Sequence, residues 1–354
     1  MLSEQARAVL NDEGRIARRD EWFSRMSDLF DGRKNPYNDR YVFTLRGTVP
    51  RPADRNLPYT EPERWVEECL ELIAAQPECL ENRFSPACVE YPIYGVHFID
   101  RILGANVFFK DGQWNASYLT TPIGELAFPD LEQDETWGLA RRATEAFLAA
   151  GVKLPLFGLP TLSSALNILI NLYGQEALFA MADEEEGVVH DLAVINDLIR
   201  ALHRWYREHL PERQLQPVIS WARTQPPGYG QLCGCSTHLI SGAMYETYIR
   251  DLDDALLGDY PHGGMIHLCG SHLQHLSSFR TMKHLRAVQL NDRAAGDFEA
   301  YFKGLREDQI IYLNPCKEMS AEEAIRISGG ERLVLCVPPS LPHLSNAPEK
   351  PSAV

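Results

Sequence analysis

The chain has 354 residues, of which 45% are hydrophobic and 23% are charged. This is the composition of an ordinary globular protein, so disorder, a collagen-like repeat and a coiled coil are excluded as descriptions of the whole chain. Acidic residues outnumber basic ones by 49 to 34, the net charge is −15, and no Lys/Arg cluster stands out in the sequence. A nucleic-acid-binding surface is therefore not expected. Eight cysteines are too few for a disulfide scaffold of this length.

The first segment, MLSEQARAVLNDEGRIARRD, is charged throughout and lacks the apolar core of a signal peptide. The one long uncharged stretch, 154–175, contains Pro155, Gly158 and Pro160. These residues favour a strand, a turn and a buried helix over a membrane-spanning helix. We therefore expect a cytoplasmic protein with no membrane partner.

Four apolar runs in the first two thirds of the chain predict strands, at 41–45, 106–109, 154–158 and 217–222. Two stretches between them carry apolar residues at helical spacing, which predicts helices that bury one face. The first stripe consists of Trp65, Val66, Cys69, Leu70 and Ile73, and the second of Val188, Leu192, Ile195, Ile199, Leu202 and Tyr206.

The last third of the chain alternates apolar strands with helical segments at regular intervals. The strands are predicted at 265–269, 287–291, 309–314 and 332–337. The segment SAEEAIRISGG predicts a helix with Ser320 as its N-cap, Glu323 completing a capping box and Gly329 as its stop. Strands that alternate with helices in this way form βα units and a parallel sheet.

Eight predicted strands are enough for an α/β fold of the (β/α)8 TIM-barrel type with an N-terminal helical extension. The length alone would also allow two domains, but no linker interrupts the βα repeat. We expect a helical extension over 1–35, a single barrel over 36–340 and a Pro-rich tail over 341–354.

A possible metal site lies at the ends of two of these strands. His267 and Cys269 are two residues apart on one strand, so both side chains point to the same face. Cys316 follows a later strand, and sites in α/β folds form at the carboxyl ends of strands. Two thiolates and one imidazole suit Zn²⁺ with an open fourth position. The alternative from the residues alone is two buried cysteines and a structural histidine.

Several segments resemble the uroporphyrinogen decarboxylase superfamily, and in particular its zinc-dependent methyltransferase branch. GGMIHLCGSH is similar to the H-x-C-G segment of that branch, and IIYLNPCKEMSAEEAIRIS to its downstream cysteine and following helix. PLFGLPTLSSALNILINLYGQEALFAMADEEEGVV and LISGAMYETYIRDLDDALL resemble two further family segments, so that the resemblance covers about 85–340.

The resemblance implies a (β/α)8 barrel that binds Zn²⁺ through His267, Cys269 and Cys316. It implies a methyltransferase that moves a methyl group between a corrinoid and a thiol or a methoxy or otherwise methylated small molecule. Because the chain shows no cobalamin-binding signature, the corrinoid is expected on a separate partner protein. The alternatives are a metal-free decarboxylase of the same fold and a non-catalytic barrel with structural zinc or none.

Other polar residues near the predicted strand ends are candidates for substrate binding. Asn291, Asp292 and Asn314 end strands, His272 follows the H-x-C strand, and Cys235 lies in a Gly-rich loop. Cys233 and Cys235 form a C-x-C pair for which metal binding, redox chemistry and a plain loop all remain open. A loop histidine exposed to solvent is the alternative for His272.

Overall fold

The protein is described by a computed structural model covering residues 2–32, 43–45, 51–80, 85–217 and 221–336. The strands are β1 (Phe43–Leu45), β2 (Cys88–Glu90), β3 (Val107–Lys110), β4 (Gln113–Ala116), β5 (Leu156–Gly158), β6 (Leu215–Gln216), β7 (Gly230–Cys233), β8 (Gly264–Cys269), β9 (Leu285–Asn291), β10 (Ile310–Leu313) and β11 (Leu333–Cys336).

The α-helices are α1 (Glu4–Leu10), α2 (Glu13–Phe30), α3 (Leu57–Thr60), α4 (Pro62–Ala75), α5 (Pro77–Leu80), α6 (Phe98–Ile102), α7 (Glu135–Ala149), α8 (Ala165–Tyr173), α9 (Gln175–Ala182), α10 (Glu186–His209), α11 (Gly242–Met244), α12 (Arg250–Gly258), α13 (Leu276–Thr281), α14 (Phe298–Gly304) and α15 (Ala321–Ser328). One turn of π-helix, Tyr245–Ile249, joins α11 to α12.

The strands form two parallel sheets, which confirms an α/β fold. The first has six strands in the order β1-β11-β10-β9-β8-β7, and the second has three in the order β2-β5-β6. No backbone pairing joins the two sheets within the part of the chain that the structure describes. Both sheets nevertheless contribute to one inner-face cluster, in which Leu156 of β5 lies with Met265, Ala287 and Val334 of the larger sheet.

Helix α2 covers the inner face of the strands. Its side chains Phe23, Met26 and Phe30 are buried in the inner-face cluster, and the ring of Phe30 lies 4.5 Å from that of Tyr229. Burial of each side chain of this size contributes about 1.5–3 kcal/mol to the free energy of unfolding. The predicted helical extension is therefore a packed part of the fold. Its continuation to residue 35 and the predicted Pro-rich tail lie outside the described residues.

The predicted strand at 106–109 exists but does not belong to a parallel sheet. It forms an antiparallel hairpin, β3 with β4. Asp111 and Gly112 at its turn have φ values of 53° and 83°, and Asp-Gly with two positive φ values is the favoured two-residue hairpin turn. The expectation that this segment is a barrel strand was therefore wrong. Of the segment predicted at 217–222, residues 218–220 lie outside the described chain, and the strand β6 precedes it.

The two long helical stripes and the helix with its Ser320 cap are confirmed, whereas the predicted capping box is not formed, because the Glu323 carboxylate pairs with Arg326. Helices α4 and α10 bury the predicted apolar residues. Ser320 caps α15 by accepting a hydrogen bond from the Glu323 backbone N–H, and Gly329 ends the helix with a φ of 61°. None of the described helices is both long and apolar enough to cross a membrane.

Candidate metal centre

The candidate site lies where two neighbouring parallel strands end. In the register of β7 and β8, Cys233 is the partner of His267, and in that of β8 and β9, Cys269 is the partner of Asn291. The side chains of His267 and Cys269 lie on the same face because strand residues two apart do so. The two strands that carry Cys233, His267 and Cys269, β7 and β8, are therefore paired directly, with no strand between them.

A close approach between the loop after β7 and strand β8 brings Cys235 to the same place. The Gly234 N–H donates to the carbonyl of His267 at 2.8 Å. A Cβ on Gly234 would lie 2.9 Å from Ile266 Cγ2 and 3.2 Å from Leu268 Cδ2. A side chain at this position would push the loop away from β8, so the glycine lets the C-x-C segment fold back over the strand.

Three ligand atoms gather at this point. One atom each of Cys233, Cys235 and His267 lies within 4.8 Å of the other two, and the Cys233 and Cys235 sulfurs are 3.4 Å apart. Cys269 adds a further sulfur, 3.1 Å from His267 Nε2. Tetrahedral zinc with ordinary Zn–S and Zn–N bonds holds its ligand atoms about 3.3–3.8 Å apart. The donors and their spacing therefore fit a zinc ion.

Hydrogen bonding shifts the pKa values of the three thiols in opposite directions. The pKa of Cys233 lies well below its usual range because of its hydrogen bond with Cys235, and the nearby charge of Arg223 lowers it further against the effect of burial. The Cys269 pKa is also low, chiefly through its hydrogen bond with Cys235 and then with His267. The Cys235 pKa is raised because its proton is shared with both neighbours. Cys233 and Cys269 are therefore the two thiols that favour the thiolate form.

A chain of hydrogen bonds fixes the tautomer of His267. Gln289 Nε2 donates to the Ala222 carbonyl at 3.1 Å and to Asn314 Oδ1 at 3.0 Å. Its Oε1 therefore faces His267 Nδ1, at 2.7 Å, and Nδ1 must carry the proton. The lone pair is left on Nε2, which points toward the sulfurs. Metal-binding histidines are typically held in this way by a partner on their other nitrogen.

The predicted ligands and the observed cluster overlap in part. His267 and Cys269 lie in contact at the strand end as predicted. Cys316 is half-buried, its backbone N–H bonds to the Met319 carbonyl at 2.9 Å, and its side chain packs against the main core. Within the described residues it does not join the close group of ligand atoms. Its role as a zinc ligand stays a prediction.

The predicted substrate-binding residues take different positions. Asn291 donates a hydrogen bond to the Cys269 sulfur at 3.6 Å, and Asn314 accepts one from the Gln289 amide. Asp292 is exposed, with a φ of 47°. His272 is fully buried, so the solvent-exposed alternative was wrong. Its ring nitrogens lie 2.8 Å from Thr237 Oγ1 and 3.1 Å from the Cys269 carbonyl. His272 therefore ties the loop after β7 to the loop after β8.

Sequence reasoning did not identify two further buried polar groups on the strands. Gln289 lies in an apolar strand. A single polar residue among apolar neighbours is the sequence feature from which it could have been identified. Glu90 ends β2 and is almost fully buried. Burial raises its pKa to about 7, although the charges of Arg51 and Arg223 oppose the rise. Arg51 lies 3.4 Å from the Glu90 carboxylate. A carboxyl group with this pKa can take up or release a proton near neutral pH.

Comparison with known proteins shows the fold but not the family. No protein-family model and no curated protein matches the chain. Among solved structures, a methyltransferase from Methanosarcina mazei superposes with a TM-score of 0.52 at 11% sequence identity. The match covers 88% of this chain and 98% of that one. The chain therefore shares the overall fold of that methyltransferase.

Proposed function

We propose that the protein is a zinc-dependent methyltransferase that moves a methyl group between a corrinoid and a thiol or methylated small molecule. The observation that carries the proposal is the cluster of three thiols around His267, whose Nδ1–H is held by Gln289 so that Nε2 faces the sulfurs. The shared fold with a methyltransferase supports it. We further propose that the two parallel sheets belong to one closed (β/α)8 barrel, which their common inner-face cluster favours.

In this proposal the chain holds and orients the reactants. When bound, zinc supplies Lewis acidity, which keeps a substrate thiol deprotonated at neutral pH or polarises an ether oxygen. His267 and Cys269 bind the metal from one strand, and Cys233, Cys235 or Cys316 completes the site. Gln289 holds the imidazole in the tautomer that leaves Nε2 free. The corrinoid is carried by a separate cytoplasmic protein, so the mouth of the barrel has to remain accessible.

The test combines metal content with methyl transfer. We expect one zinc per chain in the purified protein and transfer from methylcobalamin to a small thiol, followed by the corrinoid absorption spectrum. His267→Ala and Cys269→Ser should each lose both the metal and the activity. Cys69→Ala, which removes a buried thiol on α4, should keep both. Methyl transfer at the normal rate by His267→Ala would refute the proposal.

A structural zinc site is a second candidate, and the geometry gives it a specific reason. The ligand atoms of Cys233, Cys235 and His267 lie within 4.8 Å of one another, and Cys269 Sγ, 3.1 Å from His267 Nε2, is available as the fourth donor that a closed tetrahedral site needs. For such a closed site the free energy of metal binding is free energy of folding. A chelator would then lower the melting temperature sharply. A catalytic site with an open position predicts loss of activity with a much smaller shift.

A further inference from the structure

Two thiols of the candidate metal centre lie in contact with each other at the end of β7. The sulfurs of Cys233 and Cys235 are 3.4 Å apart, and both residues are half-buried free cysteines. A catalytic zinc site that contains His267 and Cys269 needs only one further protein ligand. At least one thiol of the pair is therefore not required by such a site.

The backbone between the two cysteines bends in a way that suits a disulfide. Gly234 has φ −98° and ψ 20°, so the chain turns there instead of continuing as a strand. In an extended strand, residues two apart are separated by about 6.6 Å, whereas the Cα atoms of a disulfide usually lie about 5.5–6 Å apart. The bend shortens the separation toward that range. Closure then requires the sulfurs to approach from 3.4 Å to about 2.05 Å.

Hydrogen bonds hold the backbone on both sides of the bend. The Gly234 N–H donates to the His267 carbonyl at 2.8 Å, and the Gly234 carbonyl accepts from the Thr237 hydroxyl at 2.8 Å. The Ser236 N–H donates to Oδ1 of Asn167 on α8 at 2.8 Å. Because the backbone is fixed before any reaction, the two thiols meet at a high effective concentration. The chain loses little further conformational entropy when a bond forms between them.

A third thiol lies nearby but is held by other groups. Cys269 also forms a hydrogen bond with Cys235. Its sulfur, however, lies 3.1 Å from His267 Nε2 and accepts a hydrogen bond from Asn291 at 3.6 Å. These two partners hold Cys269 beside the imidazole. The two cysteines separated by a single glycine are therefore the pair that is best placed to react.

We propose that Cys233 and Cys235 form a redox-active dithiol that hydrogen peroxide closes to a disulfide. One thiol attacks the peroxide and becomes a sulfenic acid, with release of one water. The other thiol then attacks the sulfenic sulfur, and the departing hydroxide takes up the thiol proton and leaves as a second water. The two sulfurs together lose two electrons, which reduce the peroxide. A ring closed over one residue is strained, so a dithiol reductant reopens it.

Closure of this disulfide has a consequence for the metal centre. Zinc binds thiolates, so oxidation removes the sulfurs of Cys233 and Cys235 from the set of ligands. Only His267 and Cys269 then remain in the close group, which is too few for a tetrahedral protein site. Oxidation should therefore release the metal, and reduction should allow it to bind again. This consequence rests on the proposed function, whereas the disulfide itself does not.

Peptide mapping identifies the bond directly. Trypsin cleavage after Arg223 and Arg250 leaves both cysteines in one peptide, 224–250, and Cys269 in the next, 251–280. The intact protein, as purified and after treatment with a zinc chelator, is exposed to hydrogen peroxide, and free thiols are blocked with N-ethylmaleimide before digestion. We expect peptide 224–250 to be lighter than its reduced form by two hydrogen atoms and to carry no maleimide. Dithiothreitol should restore both thiols.

Two variants and a second measurement make the result specific. Cys235→Ser should abolish the internal bond of peptide 224–250. Cys88→Ala, which removes another half-buried free thiol on β2, should form the bond as the native protein does. Zinc release, followed with a coloured chelator in the same samples, tests the consequence separately, since a protein that holds no zinc contradicts the proposed function and leaves the mapping result valid. A peptide 224–250 that stays reduced with and without the chelator, or that is linked to 251–280 instead, would overturn the proposal.

Discussion

Replacing Gln289 by leucine tests whether its amide holds His267 ready to bind a metal. Gln289 is 1% exposed and makes hydrogen bonds to His267, Ala222 and Asn314. After the substitution, the Ala222 carbonyl still accepts from the Cys336 thiol at 3.0 Å, and the half-buried Asn314 can reach water. The substitution mainly leaves the Nδ1–H of His267 without a partner, in a residue that is only 6% exposed.

The size of the effect follows from the number of buried groups that lose their hydrogen-bond partner, which is one. Leaving one buried donor without a partner costs about 1–3 kcal/mol in the free energy of unfolding. Loss of the group that orients a metal-binding histidine lowers metal affinity about 10–100-fold. In Gln289→Glu the carboxylate still accepts from His267, but it no longer donates to Ala222 and Asn314. This variant should lose stability while its zinc affinity is largely kept.

The assay pairs urea unfolding with zinc affinity, measured by competition with a coloured chelator. A matched control is available in Gln309, a fully buried glutamine that donates to the Phe279 and Leu285 carbonyls and accepts from the Arg306 N–H. Gln309→Leu should destabilise the fold by a similar amount and leave zinc affinity unchanged. Equal zinc affinities in Gln289→Leu and the native protein would refute the reasoning.

Three further predictions concern packing and pH. Gly234→Ala should lower zinc affinity and stability, by about 1–3 kcal/mol for an overpacked site, because its Cβ would lie 2.9 Å from Ile266; an unchanged urea midpoint would contradict this. Burial raises the pKa of Glu90 to about 7 in the folded protein, so ionisation costs stability as pH rises from about 4.5 to 7. Glu90→Gln should therefore raise the melting temperature more at pH 8 than at pH 5, and the same shift at both pH values would count against this. Burial lowers the pKa of His203 to about 3, so stability should fall as pH drops from about 6.5 toward 3. His203→Gln should flatten that part of the melting profile, and an equally steep fall in the variant would argue against His203 as the cause.

The strands and helices of the last third were predictable because local patterns determine them. The apolar runs of β8 to β11 and the cap at Ser320 depend on neighbours in sequence, and both were found in the structure. The segment 106–109 misled the prediction because its apolar run looks the same in a hairpin and in a parallel sheet. Only the Asp111-Gly112 turn distinguishes them.

The partners of His267 were harder to predict because they depend on strand order. Cys233 becomes a neighbour of His267 only when β7 pairs with β8 in the observed register. Gln289 meets the imidazole because β9 lies on the other side of β8. Neither relation is visible from spacing along the chain, since the intervening residues form helices and loops of unpredictable length.

Strand order also determines what Cys316 would have to do in order to bind the metal. Cys233 is on the strand adjacent to His267, whereas Cys316 follows β10, which is separated from β8 by β9. Two strand spacings are about 9–10 Å, and two Zn–S bonds span less than about 5 Å. The thiol of Cys316 therefore has to reach past the strand end that carries Gln289 and Asn291 in order to join the cluster. A site completed by Cys233 and Cys235 needs no such reach, so the two ligand sets differ in whether the metal is held by neighbouring strands or across an intervening one.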